Sequence, residues 1–315
     1  MRPKVFITGG SGLLALNWAS AIQNCFSVIL GLHKREIFLA GIESQRIDLD
    51  SVENIIRVFE QNRCELVIHT VGLTNVEECE TKPDLARHIN VELATNVAKA
   101  CAKLGLQLVH VSTDHLFSGK DMLVDEAQPI SPINVYGRTK AEAEYQVLQA
   151  HSNSLVIRTN FYGWGPVYRR SFSDLIIDGL RSGRELVLFK DVFYTPILIE
   201  EVAQATHELL KLKANGIFNM VGDERISKYD FGINIAQTFN LNKRLIKLGS
   251  ISEHISLVQR PHDMSLSNQK ICSLLGRRLG KVNEHIFKLH QQELRGFSHR
   301  LNHVSSGKGS AISVL

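Results

Sequence analysis

Val5-Phe6-Ile7-Thr8-Gly9-Gly10-Ser11-Gly12-Leu13-Leu14-Ala15 is the stretch whose reading decides the fold. Apolar residues of buried-strand type come first, glycines break the run, and a helical pattern from Leu13 to Gln23 follows at once. Gly9 permits a tight turn, and Gly12 lets the backbone come close to a bound group. Ala15 fills the third small position, where the helix packs on its sheet. A helix starting there offers free N–H groups and the positive end of its dipole, both suited to phosphate. Between a strand and a helix, the turn predicts a dinucleotide pyrophosphate against Gly9, Gly12, Leu13 and Leu14. A plain glycine turn is the alternative.

Outward from that stretch the strand–helix alternation continues. Val28-Ile29-Leu30, Arg46-Ile47-Asp48, Leu66-Val67-Ile68, Leu108-Val109-His110-Val111 and Leu155-Val156-Ile157 read as strands. Helices are expected behind a Ser51 cap, from about Asp84 to Leu104, and from Val135 to Gln149. Continuous apolar strands alternating with helices imply a parallel sheet covered on both faces, a Rossmann-type doubly wound α/β fold. Residues 1–160 are expected to form this nucleotide-binding domain. Residues 161–300 are expected to form a smaller mixed α/β substrate lobe, with some chain returning to the first domain. Helices are expected there at about 171–182, 199–213, 227–239 and 283–295, and 301–315 reads as a flexible tail.

Composition narrows the partners. With 44% hydrophobic and 22% charged residues, the 315-residue chain has ordinary globular values, which excludes a disordered or fibrous protein. Lys+Arg 36 against Asp+Glu 32 gives 36 − 32 = +4 without a dense basic block, so no nucleic-acid partner is called for. A small anionic ligand fits that balance, and a homodimer stays open. Five cysteines without CxxC spacing argue against a disulfide framework or a structural zinc site, and no metal is expected. Arg2, Lys4 and Ala19-Ser20-Ala21 imitate a signal peptide, but Gly9-Gly10-Ser11-Gly12 cuts its apolar region. No run approaches the roughly 18 apolar residues of a membrane span. The expectation is a cytoplasmic protein without a membrane partner.

The end of the second strand bears on the nucleotide. A carboxylate usually stands there, about 20 residues past the turn, when the ribose 2′-OH of NAD is held. Here the chain reads Gly31-Leu32-His33-Lys34-Arg35, with no carboxylate until Glu36. Lys34 and Arg35 can pair with a 2′-phosphate that a carboxylate would repel, which favours NADP(H) over NAD(H). A solvated basic turn is the alternative. Asp48-Leu49 closes the third strand, where a carboxylate reaches the adenine amino group or caps the next helix.

Ser112-Thr113-Asp114 ends another strand, at the edge where ligands bind in such sheets. Tyr136-Gly137-Arg138-Thr139-Lys140 then opens a helix, and the spacing of four puts phenol and ammonium on one face. A nearby ammonium is expected to lower the Tyr136 pKa from about 10, making the phenol an acid–base group near neutrality. A surface helix is the alternative, and the glycine turn with Ser112-Thr113 argues against it.

With these motifs in place the chain resembles the extended short-chain dehydrogenase/reductases, and within them the dTDP-4-dehydrorhamnose reductase family. The likeness runs through the glycine turn, Thr74-Asn75-Val76-Glu77-Glu78-Cys79-Glu80, Asn90-Val91, Ser112-Thr113-Asp114-His115-Leu116-Phe117-Ser118-Gly119 and the Tyr136–Lys140 run. It ends with Arg260-Pro261-His262-Asp263-Met264-Ser265-Leu266. The resemblance implies that Thr113, Tyr136 and Lys140 are catalytic, with Lys140 also on the nicotinamide ribose. Ser112, Thr70, Val71 and Gly72 would line the cofactor, with Asn90 supporting that site. Thr74 and Val76 would approach the sugar. Asp114 would orient its loop or relay a proton, and Arg260 would meet the substrate diphosphate or form a structural salt bridge. Two stretches depart from the family pattern, His69-Thr70-Val71-Gly72-Leu73 and His115-Leu116-Phe117-Ser118-Gly119, both on the sugar side. His69 and His115 read as structural histidines.

The same fold hosts reductases, epimerases and dehydratases, so the site must decide. Dehydratases resemble Thr-Asp-Glu where this chain has Thr113-Asp114-His115, which argues against water elimination. The expected activity is NADPH-dependent reduction of a nucleotide-activated 4-keto-6-deoxy sugar. An epimerase, or an NADP-binding regulatory subunit such as the β subunit of methionine adenosyltransferase, is the alternative.

Overall fold

The computed structural model describes residues 2–253 and 258–304. Its centre is a seven-stranded sheet. In chain order the first half runs β1 (Lys4–Thr8), α1 (Leu13–Ile22), β2 (Ser27–Leu32), β3 (Glu43–Arg46), α2 (Val52–Asn62) and β4 (Leu66–His69). It continues through α3 (Val76–Thr81), α4 (Pro83–Arg87), α5 (Leu93–Leu104), β5 (Gln107–Thr113), α6 (Val135–Ala150) and β6 (Leu155–Thr159). All neighbours in the sheet are parallel, in the order β6-β5-β4-β1-β2-β3, and the later strand Gly216–Asn219 adds beside β6.

Side-chain alternation explains how the sheet is covered. Phe6, Ile29 and Val67 point to one face, into a cluster with Ile55 and Phe59 of α2 and Val97 and Cys101 of α5. Their neighbours Val5, Ile7, Leu30 and Ile68 point to the other, where α1 supplies Leu14, Leu16 and Trp18. Both faces are dry, which is why these strands read as continuous apolar runs. Helix Ile199–Lys211 from the second half packs against α1. The chain order reverses between β1 and β4, and a crevice opens there at the strands' carboxyl ends.

The rest of the second half forms a smaller mixed lobe. It contains the parallel pair Leu186–Phe189 with Ile246–Gly249 and the antiparallel pair Phe193–Tyr194 with Ile226–Ser227. Helices Phe172–Arg181, Lys228–Thr238 and Val282–Leu294 pack around them.

Three expectations are corrected. The third strand is Glu43–Arg46 rather than Arg46–Asp48, because its ladder runs from Ile29 to Leu32 along an exposed polar edge. The expected single helix from Asp84 to Leu104 is α4 and α5 joined by a π-helical turn, His88–Glu92. Residues 301–304 do not form a free tail, since Leu301 and Val304 are apolar and buried, and the rest of the expected tail, 305–315, lies outside the described residues. Among the described residues no helix is long and apolar enough to cross a membrane. All five cysteines are free.

Candidate active site

A cleft of about 940 Å³ follows the carboxyl edge of the sheet and extends to the second lobe. The glycine turn forms one end. The Gly10 amide donates to the Gly31 carbonyl at 2.9 Å and the Gly12 amide to the Gly9 carbonyl at 2.8 Å. A Cβ on Gly10 would stand 2.6 Å from the Leu30 Cβ, so the turn lies pressed on β2 and admits no larger residue. Gly12 caps α1 without a side-chain hydrogen bond. The first-turn amides beside Leu13 and Leu14 therefore have no side-chain acceptor, and this cradle fits a pyrophosphate.

His33, Lys34 and Arg35 line the same end of the cleft. Glu36, the next carboxylate along the chain, pairs with Arg46 at 2.6 Å. Lys34 and Arg35 make no ion pair among the described residues, which suits a phosphate between them. Asp48 and Leu49 form part of the wall, while the Asp48 carboxylate accepts the Asp50 amide at 3.0 Å. Thr70, Val71 and Gly72 follow β4 along the floor, and the Thr70 hydroxyl donates to the Thr8 carbonyl at 2.7 Å.

Ser112, Thr113, Tyr136 and Lys140 meet at the middle of the cleft. The Asn134 side chain accepts the Gly137 amide at 2.8 Å, so α6 begins at Val135 and Tyr136 falls in its first turn. Lys140 is one turn further along. Its ammonium donates to the Val111 carbonyl at 2.7 Å and stands 3.5 Å from His110 Nε2. The Tyr136 phenol bonds instead with Thr113, and the Thr113 hydroxyl lies 3.3 Å from Asp114 Oδ1.

Electrostatics follow burial here. Burial pushes the Tyr136 phenol well above its ordinary pKa, outweighing the Thr113 bond that lowers it. The expected lowering by Lys140 is thus overturned, since the ammonium points at β5. Burial also lowers Lys140 to about 8, against the pull of Glu144, which leaves it protonated at neutral pH. Behind it His69 and His110 stack at 5.6 Å, both buried and both pushed down mainly by burial, His69 to about 3. They add no charge beside Lys140 near neutrality.

Thr74, Val76 and Asp114 line the side towards the second lobe. Asp114 accepts from Asn160 Nδ2 at 2.5 Å, and His115 packs edge-on against Tyr136 with ring centres 5.4 Å apart. Two residues singled out in the sequence lie off the wall. Asn90 sits in the π turn, where Oδ1 accepts the Leu73 amide at 2.7 Å and Nδ2 donates to Leu73 O and to Thr139 Oγ1. It ties the loop after β4 to α6 rather than facing the cleft. Arg260 is paired with Glu77 at 2.7 Å, the salt-bridge alternative.

Sequence reasoning missed the segment after Pro166. Tyr168, Arg169, Arg170 and Phe172 line the cleft, as does Asn160. The Tyr168 hydroxyl donates to the Ser11 carbonyl at 3.0 Å, and Arg169 donates to Thr74 Oγ1 at 2.7 Å. The one available signal was the Tyr168-Arg169-Arg170 cluster directly behind a glycine–proline loop.

A glycine cradle after β1, a switch point beside it, and a Thr–Tyr–Lys group facing both define an extended short-chain dehydrogenase/reductase. Within that class, the chain belongs to the family described as RmlD substrate binding domain, which it matches over residues 3–294. It is 26% identical over 279 residues to the probable low-salt glycan biosynthesis reductase Agl14 of Haloferax volcanii, covering 86% of this chain and 92% of that protein. It is also 26% identical over 283 residues to the methionine adenosyltransferase 2 subunit beta of Rattus norvegicus, covering 87% and 84%. The crystal structure of dTDP-4-dehydrorhamnose reductase from Bacillus anthracis in complex with NADP superposes with a TM-score of 0.82. That match has 22% identity and covers 93% of this chain and 100% of the other.

Proposed function

We propose that this protein reduces the 4-keto carbon of a nucleotide-activated 4-keto-6-deoxy sugar with NADPH. The observation that carries the reading is the continuity of one cleft from the glycine cradle and Lys34/Arg35 to Thr113, Tyr136 and Lys140. Family membership and the reductases among the relatives support it.

Gly9, Gly12, Leu13 and Leu14 would hold the cofactor pyrophosphate, Lys34 and Arg35 its 2′-phosphate, and Lys140 the nicotinamide ribose. The bound cofactor supplies a hydride for the sugar carbonyl carbon. Thr113 donates a hydrogen bond to the carbonyl oxygen and orients it. Tyr136 gives its proton to that oxygen as negative charge develops. A buried phenol of raised pKa keeps its proton until a stronger base appears, and an alkoxide is that base. Lys140 stays protonated one helical turn from Tyr136 and serves the cofactor rather than the phenol's pKa. Asp114 is held by Asn160 and orients the loop, and His115 supplies no carboxylate for proton shifts at C5 and C6. Dehydration therefore lacks its base.

A second reading rests on the 26% identity to the methionine adenosyltransferase 2 subunit beta: as a regulatory subunit, this chain would bind NADP in its cleft without turnover. Incubation with NADPH and dTDP-4-dehydrorhamnose, followed by absorbance and by product NMR, separates the outcomes. Reduction consumes one NADPH per 6-deoxy sugar formed. An altered sugar without NADPH loss identifies an epimerase. Binding without any product favours the subunit reading.

A further inference from the structure

The segment following Pro166 touches both banks of the cleft. Tyr168 bonds to Ser11 in the phosphate turn, and Arg169 bonds to Thr74 beyond β4. The Tyr168 ring also lies under the Arg35 guanidinium, 3.9 Å from its carbon to the ring centre. Arg35 follows the end of β2 and has no carboxylate partner among the described residues, so this ring is what holds it.

We propose that Tyr168, a residue placed by the second lobe, is part of the device that selects the 2′-phosphate of NADP(H). The proposal rests on the reading of Lys34 and Arg35 as the 2′-phosphate site. A guanidinium stacked by its flat face keeps its in-plane N–H donors free, and those donors suit phosphate oxygens. An unstacked arginine at a loop would sample many rotamers and lose entropy on binding. The ring removes that freedom in advance. The hydroxyl bond to Ser11 fixes the ring in turn, so the phosphate cradle and the selecting arginine are joined through one side chain. Tyr168 acts as a positioning residue: it touches Arg35, and Arg35 meets the phosphate.

The test reads cofactor binding by calorimetry and is independent of any sugar. Dissociation constants for NADPH and NADH are compared in the unaltered protein, Tyr168→Leu, Tyr168→Phe, Arg35→Ala and the Arg35→Ala/Tyr168→Leu double variant. A stack at a partly exposed site predicts that Tyr168→Leu weakens NADPH about 2- to 5-fold and leaves NADH unchanged. Tyr168→Phe keeps the ring over Arg35 but loses the Ser11 bond, so its NADPH/NADH ratio should fall between those of the unaltered protein and Tyr168→Leu. In the Arg35→Ala background Tyr168→Leu should change the ratio no further. NADH binding serves as the check that each variant is folded. Equal weakening of both cofactors by Tyr168→Leu, or an undiminished effect without Arg35, would overturn the proposal. An unaltered protein that binds NADH as tightly as NADPH would overturn the underlying cofactor reading and the proposal with it.

Discussion

Tyr136 and Lys140 show what one residue's surroundings add to its identity. Their spacing of four on a helix was legible in the sequence, as was Thr113 at a strand end. The direction of the Tyr136 pKa was not. Spacing shows which residues share a face, but a pKa depends on burial and on where an ammonium points. Here Lys140 is spent on the Val111 carbonyl and Tyr136 is buried against His115. A raised phenol keeps its proton at neutral pH, which suits the acid role proposed for Tyr136. Replacing Tyr136 by Phe should therefore lower kcat by about 10²–10⁴-fold while NADPH still binds, because Lys140 and the glycine turn are left unchanged. Steady-state rates beside calorimetric binding check this. Full turnover in Tyr136→Phe would remove the residue from the mechanism.

At the scale of elements, strong apolar runs such as β1, β4 and α2 could be read directly. β3 could not, because Glu43-Ser44-Gln45-Arg46 is a polar edge strand with no apolar pattern to find. The π turn at His88–Glu92 was equally hidden: an extra residue in one helical turn leaves no mark in composition, yet it turns Asn90 towards Leu73 and Thr139. The joint between α6 and β6 was hidden too. Arg158 on β6 and Glu144 on α6 form a salt bridge at 2.8 Å, with 2% of each side chain exposed. Glu144→Gln would leave a buried guanidinium uncompensated, at a cost of about 3–5 kcal/mol in urea unfolding. The double change Glu144→Leu/Arg158→Met should recover most of that loss. A single variant as stable as the parent would show that the pair contributes no net stability.

Across the whole molecule, the two halves of the chain share a core that sequence could outline only in part. The Rossmann half announces itself by its alternation. The return of helix Ile199–Lys211 and strand Gly216–Asn219 to the first domain depends on long-range packing that periodicity does not encode. One contact of that return carries a pH dependence. The Trp18 indole donates to His207 Nε2 at 3.3 Å, which needs a neutral imidazole, and burial lowers His207 to about 4. In the unfolded chain a histidine takes its proton near pH 6.5, whereas in the folded protein His207 takes it only near 4. Between those values the unfolded state binds more protons, so stability falls as the pH falls, by about 1.4 kcal/mol per unit for this group. His207→Gln should flatten the unfolding free energy measured against pH in that window. Identical slopes in variant and parent would contradict the assignment.

The central claim is the proposed net transfer of one hydride from cofactor to sugar within this cleft. NADPH carrying deuterium in the transferable position at nicotinamide C4, incubated with dTDP-4-dehydrorhamnose, tests it by mass spectrometry and NMR of the product. The account predicts one deuterium per sugar, located at C4, with one NADP formed for each product molecule. A sugar product without deuterium at C4, or an unchanged sugar beside fully bound NADPH, would contradict it.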